Sequence, residues 1–379
     1  PRPRDRPVMR RILDRHNVIV CTGSGGVGKT TIAAALGLVA ARAGRKVLVL
    51  TVDPARRLAA ALGLQQGGGV IDVPLGSSST LHAEMIQPDT IFEDYIRRVT
   101  ADEQKARRIL DNKLYQQLAT TLSGSQEFTS LLRLSEAVNG GAYDLVVLDT
   151  PPTEHAAEFL EAPERLASLF DGRVARWLGS NPDQSGVLGG LVRRGTHAAL
   201  SILQLLTGKE FIAELTGFFD GVRTIAGDIR ESSLAAHQLL TGAGTAFVLV
   251  SSLDAAKILE AEDFRSALRD SGYRLAAVIV NRAHPEWFRA NQDEIAAGLQ
   301  MADADKLGEM HAAMRRYYSR RGRAHAAFSR LQGHKTAVVK IAELDDEPTG
   351  LDGLERLGRL LQTSGRRGNV ANPPDAGGN

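Results

Sequence analysis

Three groups of residues in this chain have the types and spacing to handle a phosphorylated ligand. The first is Gly23-Ser24-Gly25-Gly26-Val27-Gly28-Lys29-Thr30, followed by Thr31, which satisfies G-x-x-x-x-G-K-[ST] between an apolar run and a helical one. The glycines let backbone N–H groups turn inward on phosphates, Lys29 adds a positive charge at the β/γ-phosphates, and the Thr30 hydroxyl can ligate Mg²⁺. A glycine-rich turn capping a helix is the plainer reading of such a stretch. The strand-loop-helix setting and a second motif favour nucleotide binding, with ATP or ADP and Mg²⁺ as the ligands.

The second group is Asp144 to Asp149, an apolar run closed by a carboxylate. An Asp at the carboxyl end of a strand beside a phosphate loop can hold Mg²⁺ through its water shell, although strands often end in Asp. The third is Asp53 in Thr51-Val52-Asp53-Pro54-Ala55, placed where a carboxylate can orient a water for attack near a γ-phosphate. Asp-Pro is also ordinary turn chemistry. Cys21, on the strand before the glycine loop, reads as a small core residue rather than a nucleophile.

Positioning these residues requires an alternation of short strands and long helices. Apolar runs fall at Val18–Cys21, Val47–Leu50, Leu145–Leu148, Ala246–Val250, Ala277–Val280 and Thr336–Val339, and a helical run covers Ile32–Ala43. Strands that are apolar on consecutive positions are covered on both faces, which parallel sheets achieve with helices. The fold class is therefore α/β, a P-loop NTPase with a doubly wound, mainly parallel sheet. Two intervals, about 87–139 and about 155–240, carry no strand signal and are expected to form an inserted helical subdomain within a single domain of 1–379. In the second interval Phe211, Ile212, Leu215, Phe218, Phe219, Val222, Ile225 and Ile229 fall on one face of a helix. Gly186, Gly189, Gly190 and Gly195 suggest a loop or hinge upstream of it. The segment 363–379, rich in Gly, Pro, Asn and Arg, is expected to be disordered.

Composition excludes several classes. Of 379 residues, 43% are hydrophobic and 24% charged, enough for a large core. With 46 Lys and Arg against 44 Asp and Glu, no electrostatic case exists for nucleic acid as the main partner. One cysteine precludes an internal disulfide or a Cys-rich zinc site and fits a reducing cytoplasm. No signal peptide is read in Pro1–His16, and no continuous apolar stretch approaches the roughly 20 residues of a membrane span.

Taken together, GSGGVGKTT (Gly23 to Thr31), VDPARRL (Val52 to Leu58), YDLVVLDTPPTEHAAEFL (Tyr143 to Leu160) and VIVNRAHP (Val278 to Pro285) resemble the ArsA-type branch of the deviant Walker ATPases. That branch includes the arsenical pump ATPase and the GET-pathway ATPase for tail-anchored membrane proteins. The chain looks most similar to actinobacterial proteins described as anion-transporting ATPases, and SGSQEF (Ser123 to Phe128) is similar to a helical-region motif of the GET ATPase. The resemblance implies that Lys29 and Thr30 bind phosphate and Mg²⁺, that Asp53 in switch I positions water, that Asp149 to His155 form switch II, and that Asn281 hydrogen-bonds adenine.

The sequence departs from the family at two telling points. The family loop reads G-K-G-G-x-G-K-T, and its first Lys reaches the partner subunit's nucleotide; here that position is Ser24, which carries no charge. Arg56 or Arg57 would be a source of the charge from the same chain, or both are solvated helix-face residues. In switch II the family's T-G-H-T reads Thr153-Glu154-His155-Ala156. The arsenite-binding cysteines and the C-x-x-C zinc clasp of relatives have no counterparts.

The expected function is a dimeric switch ATPase coupling nucleotide state to a helical surface that receives a client or partner. Its subunits would be identical or paralogous. Five Met in all, none between His155 and Leu240, weaken the client analogy. The alternatives are a soluble energising subunit of an anion exporter, with a membrane-protein partner, and a positioning switch of the MinD/ParA kind. The last is the least supported, since Leu351–Leu361 is a short periodic helix followed by a polar tail with only Arg366 and Arg367 as a basic pair.

Overall fold

The apolar runs become the inner strands of one eight-stranded sheet. A computed structural model describes residues 6–52, 57–62, 69–76, 79–100, 102–112, 126–150, 209–283, 292–301, 305–331 and 336–363. Its strands are β1 (Val18–Thr22), β2 (Lys46–Thr51), β3 (Val70–Asp72), β4 (Thr80–Met85), β5 (Leu145–Asp149), β6 (Thr245–Ser252), β7 (Leu275–Ala283) and β8 (Ala337–Ala342). They lie in the order β3-β4-β2-β5-β1-β6-β7-β8. Every neighbouring pair is parallel except β3 against β4.

All residues of β1 and β5 are buried, as are Val47 to Thr51 of β2, and this is why their sequences are uninterrupted apolar runs. The strands β3 and β4 escape that signature for two reasons. The first is only three residues long, and Thr80-Leu81-His82-Ala83-Glu84-Met85 of β4 carries polar residues within it.

The helices are α1 (Val8–Arg15), α2 (Lys29–Arg42), α3 (Arg57–Leu62), α4 (Pro88–Thr100), α5 (Glu103–Leu110), α6 (Gln126–Asn139), α7 (Lys209–Thr241), α8 (Ala255–Asp270), α9 (Gln292–Met301), α10 (Asp305–Leu331) and α11 (Gly350–Thr363). Ala-rich α2 is buried continuously from Ile32 to Ala41, and its small side chains let it lie directly on the sheet. The periodic helix near the carboxyl end, α11, turns Leu354, Leu357 and Leu361 into the same core as α2. Its apolar face is thus used inside the protein rather than offered to a bilayer.

The chain divides into two compact units. One comprises Pro1–Met85, Gly140–Ala157 and Thr241–Asn379 and contains the sheet; the other comprises Ile86–Asn139 and Glu158–Leu240. The core of the second unit gathers Phe92, Tyr95, Ile96, Ala106, Ile109, Phe128, Leu132, Ile225 and Ile229. Phe128 meets the rings of Phe92 and Tyr95 edge-on at 6.4 and 6.2 Å, and the Tyr95 hydroxyl lies 3.1 Å from Ser232 Oγ on α7. Within the stripe read between Phe211 and Ile229, Ile225 and Ile229 are core residues, each 1% exposed. The side chains of Phe211, Ile212, Leu215, Phe218, Phe219 and Val222 lie outside the described residues, as do Asp53, Arg56, Thr153–Ala156, Ser123–Ser125, the glycines from 186 to 195 and residues 364–379. No helix among the described residues is long and apolar enough to cross a membrane.

Candidate active site

The chemistry-bearing residues converge on the carboxyl edge of the sheet. From β1 the chain passes through α2 to β2 on one side, whereas β6 and β7 lie on the other. A crevice at such a reversal is where open α/β sheets hold ligands. The loop Gly23–Gly28 leaves β1 at that point, between β5 and β6.

Its backbone needs glycine. Gly23, Gly26 and Gly28 have φ of 143°, 79° and 92°, a region that L side chains avoid. A Cβ at Gly23 would also stand 2.1 Å from the Val250 carbonyl oxygen, and one at Gly28 would stand 2.5 Å from Asn281 Nδ2. Gly28 caps α2 without a side-chain hydrogen bond. The first-turn N–H groups and the positive end of the helix dipole therefore face the loop, an arrangement suited to an anion. Lys29 is buried, and its Nζ donates to the Ser24 carbonyl at 3.0 Å.

Beneath the loop, strand register brings Asp149 opposite Cys21 on one side and Thr51 on the other. Asp149 Oδ2 accepts from Thr30 Oγ1 at 2.6 Å and from Thr51 Oγ1 at 2.9 Å, with all three side chains buried. A Thr30 hydroxyl that spends its proton on Asp149 turns its lone pairs elsewhere. This donor set fits Mg²⁺, a hard cation that takes one or two protein oxygens and fills its remaining positions with water and phosphate. Among the described residues no group of three or more His, Cys, Asp or Glu could make a self-sufficient metal cage.

Asn281, near the end of β7, also reaches the loop. Its Nδ2 donates to the Val27 carbonyl at 2.9 Å, and its Oδ1 accepts from the Arg282 N–H at 3.0 Å. The pairing of β7 with β8 shifts register here, and Arg282 adopts φ 52°. The structure thus gathers Gly23 to Thr31, Asp149 and Asn281 at one place, while Asp53 lies just past the described end of β2.

Two contributors were not read from the sequence. Thr51 had a usable signal, a hydroxyl closing an apolar strand. Glu260 on α8 had none, because it stands on an exposed helix face. Its carboxyl is held below the usual carboxylate range, first by a hydrogen bond from Ser24 and then by Lys257 against the opposing cost of partial burial.

Cys21 is fully buried, and burial pushes its thiol well above the ordinary range; the Asp149 carboxylate adds to the rise and Lys29 opposes it. The neutral thiol is the form the fold favours. Its contribution to stability is full below the ordinary cysteine pKa and is lost as pH rises through the elevated folded value. Cys21 is expected to resist maleimide in the native protein at pH 8 and to react once it is unfolded. Mass spectrometry of the labelled chain checks this, and rapid native labelling would contradict a buried neutral thiol.

A family profile described as anion-transporting ATPase matches residues 16–310. An uncharacterized protein of Streptomyces coelicolor is 36% identical over 152 residues, covering 39% of this chain and 37% of that protein. The ATPase get3 of Botryotinia fuckeliana is 23% identical over 359 residues, covering 94% and 93%. An arsenical pump-driving ATPase of Aquifex aeolicus is 24% identical over 351 residues, covering 91% and 78%. In two alignments of higher identity the chain spans only 47% and 37% of the relative's length.

Proposed function

Because this chain belongs to the anion-transporting ATPase family, we propose that it binds Mg-ATP at Gly23 to Thr31 and hydrolyses it as a dimeric switch. The observation that carries the reading is the buried contact of 2.6 Å between Thr30 and Asp149 beneath a helix-capping glycine loop. It joins the two motifs into one site.

Each residue then has a task its chemistry suits. The first-turn amides of α2 hold phosphate oxygens, and Lys29 exchanges the Ser24 carbonyl for a β- or γ-phosphate oxygen. Thr30 and, through water, Asp149 would hold Mg²⁺, and the ion would supply neutralising charge at the phosphates. Thr51 holds the Asp149 carboxylate in place, and Asp53 orients the attacking water. The Asn281 amide, fixed against the loop, has a second Nδ2 hydrogen and a second Oδ1 lone pair with which to meet adenine.

Nucleotide state would govern a partner-binding surface on the helical unit, in the cytoplasm, with a client or membrane protein as partner. The family description also favours a second reading, an energising subunit for an anion exporter. A positioning switch loses support from α11, whose leucines are consumed by the core.

Ser24 shapes the expected behaviour of the purified protein. A homodimer has no lysine at this loop position to reach across to the other subunit's phosphates, so turnover by the chain alone should be slow, or a related subunit should complete the site. Calorimetry with Mg-ATP, native mass spectrometry with a nonhydrolysable analogue and phosphate-release assays test the proposal together. Mg-dependent ATP binding with an analogue-induced dimer is the expected result. A chain that binds no ATP at millimolar concentration would overturn it, and rapid hydrolysis by a homodimer would overturn the part assigned to Ser24.

A further inference from the structure

The glycine loop is gripped by the sheet at both ends. At its start the Val250 carbonyl of β6 closes the space beside Gly23, standing 2.1 Å from where a Cβ would be. At its end Asn281 of β7 donates from Nδ2 to the Val27 carbonyl at 2.9 Å, and the same nitrogen would stand 2.5 Å from a Cβ at Gly28. Parallel pairing of Val250 with Ile279 and of Ser252 with Asn281 puts the two grips on neighbouring strands. Between them Gly25 and Gly26 form an exposed apex. Glycine-rich backbone loses more conformational freedom on ordering than any other, so contacts made before a ligand arrives reduce the cost of binding.

Two contacts demand the same orientation of the Asn281 amide. The Val27 carbonyl is an acceptor and requires Nδ2; the Arg282 N–H is a donor and requires Oδ1, which accepts it at 3.0 Å. Turning the amide over would set donor against donor and acceptor against acceptor. The second contact arises where the backbone leaves the extended region. Arg282 has φ 52°, the only residue other than glycine in the left-handed region among the described residues, and the pairing of β7 with β8 shifts between Val280 and Ala283. Ladder contacts resume at once, with the Ala283 carbonyl accepting from the Glu343 N–H at 2.9 Å. Such strain persists only where its surroundings hold it, and bulges of this kind aim side chains. The Arg282 guanidinium does not supply that hold: it lies 4.0 Å from Glu347, and side-chain exposures of 51% and 87% leave the pair little energy.

The grip on Val27 has a direction. In a trans peptide the carbonyl and the following N–H point opposite ways, so a Val27 carbonyl held on Asn281 turns the Gly28 N–H away from β7. Loops that wrap an anion are built in this sense, with carbonyls outward and N–H groups inward. We propose that Asn281 is a positioning residue of the phosphate loop, setting the Val27–Gly28 peptide so that the Gly28 N–H meets phosphate whether or not a base is present, and that the left-handed turn at Arg282 holds the Asn281 amide in that orientation. The inference rests on the functional reading above and deepens it, since it adds a role toward phosphate to the amide's role toward adenine. Arg282 acts through its backbone and touches no substrate.

The test is a set of variants of the full chain, titrated with Mg-ATP and with inorganic tripolyphosphate and Mg²⁺, which has no base, and melted in parallel. Asn281→Ala should weaken tripolyphosphate about fivefold, the size of one lost hydrogen bond, and ATP by at least as much. Arg282→Gly and Arg282→Asn, which accept the left-handed region, should keep the affinity for tripolyphosphate, whereas the β-branched Arg282→Val should weaken it. The Arg282 series also keeps the question open to measurement should Asn281→Ala fail to fold. Adding Arg282→Val to Asn281→Ala should cause no further loss, because one acts through the other. Tripolyphosphate bound as tightly by Asn281→Ala as by the unaltered chain would overturn the proposal and leave Asn281 a base contact alone. Equal losses in all three Arg282 variants would assign the effect to the guanidinium and overturn the part given to the turn. An unaltered chain that binds ATP but not tripolyphosphate overturns the proposal while sparing the nucleotide site; one that binds neither overturns the functional reading as well.

Discussion

Replacing Lys29 with Ala is expected to lower ATP affinity about 100-fold or more, since at least one charge-assisted hydrogen bond to phosphate is lost in a site screened from water. Lys29 is 7% exposed, close to the first-turn amides of α2 and to the Thr30–Asp149 pair. The Lys29 ammonium donates to the Ser24 carbonyl, a neutral acceptor, and a polyphosphate is a stronger partner than that carbonyl. The loss should shrink from ATP to ADP and nearly vanish for adenosine, because the missing charge acts on the outer phosphates. The thermal melt shows whether the variant keeps its fold, so that lost affinity is read on the phosphate contact and not on unfolding. Calorimetry with the three ligands and a thermal melt of the apo protein measure these quantities. Equal affinity for ATP in Lys29→Ala and the unaltered chain would remove the loop from the nucleotide site.

What the sequence made legible follows from how strongly each feature is constrained. Strands such as β1, β5 and β6 are closed in by neighbours on both sides, so nearly every residue has to be apolar and the run announces itself. Strand β4, inside the edge strand β3, carries His82 and Glu84 in its run and still pairs with β2 along its full length. The phosphate loop was legible because backbone geometry dictates its glycines. Its supports were not. Thr51 reaches Asp149, far from it in sequence, only because β2 pairs with β5, a relation no local pattern encodes. Asn281 was read by resemblance as an adenine ligand, and its contacts within the chain are to Val27 and Arg282. The same amide can serve as a loop anchor and a base contact, since each end has two hydrogen-bonding positions. The stripe on α7 shows the ambiguity of helical periodicity. It predicts that one face is apolar but not what covers that face, and Ile225 and Ile229 prove to be covered by α4 to α6 residues of their own unit.

The two carboxylates should separate binding from turnover. Asp149 Oδ2 accepts hydrogen bonds from Thr30 and Thr51 at the junction of β5, β1 and β2, so Asp149→Asn removes the charge and leaves an amide that can satisfy two donors only with its single oxygen turned toward them. If the amide nitrogen faces them instead, donors oppose donors and the Thr30 hydroxyl swings out of position. Either arrangement weakens the hold on Mg²⁺, so this variant should need more Mg²⁺ to bind ATP and to turn over. Asp53 stands two residues past Thr51 in sequence, and its proposed task is on the attacking water rather than on the metal. Asp53→Asn preserves shape but cannot draw a proton from water, so turnover should fall by about 10²- to 10⁴-fold while ATP affinity and Mg²⁺ dependence stay put. Single-turnover phosphate release at several Mg²⁺ concentrations, beside equilibrium ATP binding, resolves the two profiles. Loss of ATP binding in both variants would show that the carboxylates act as one unit and that the division between water and metal is wrong.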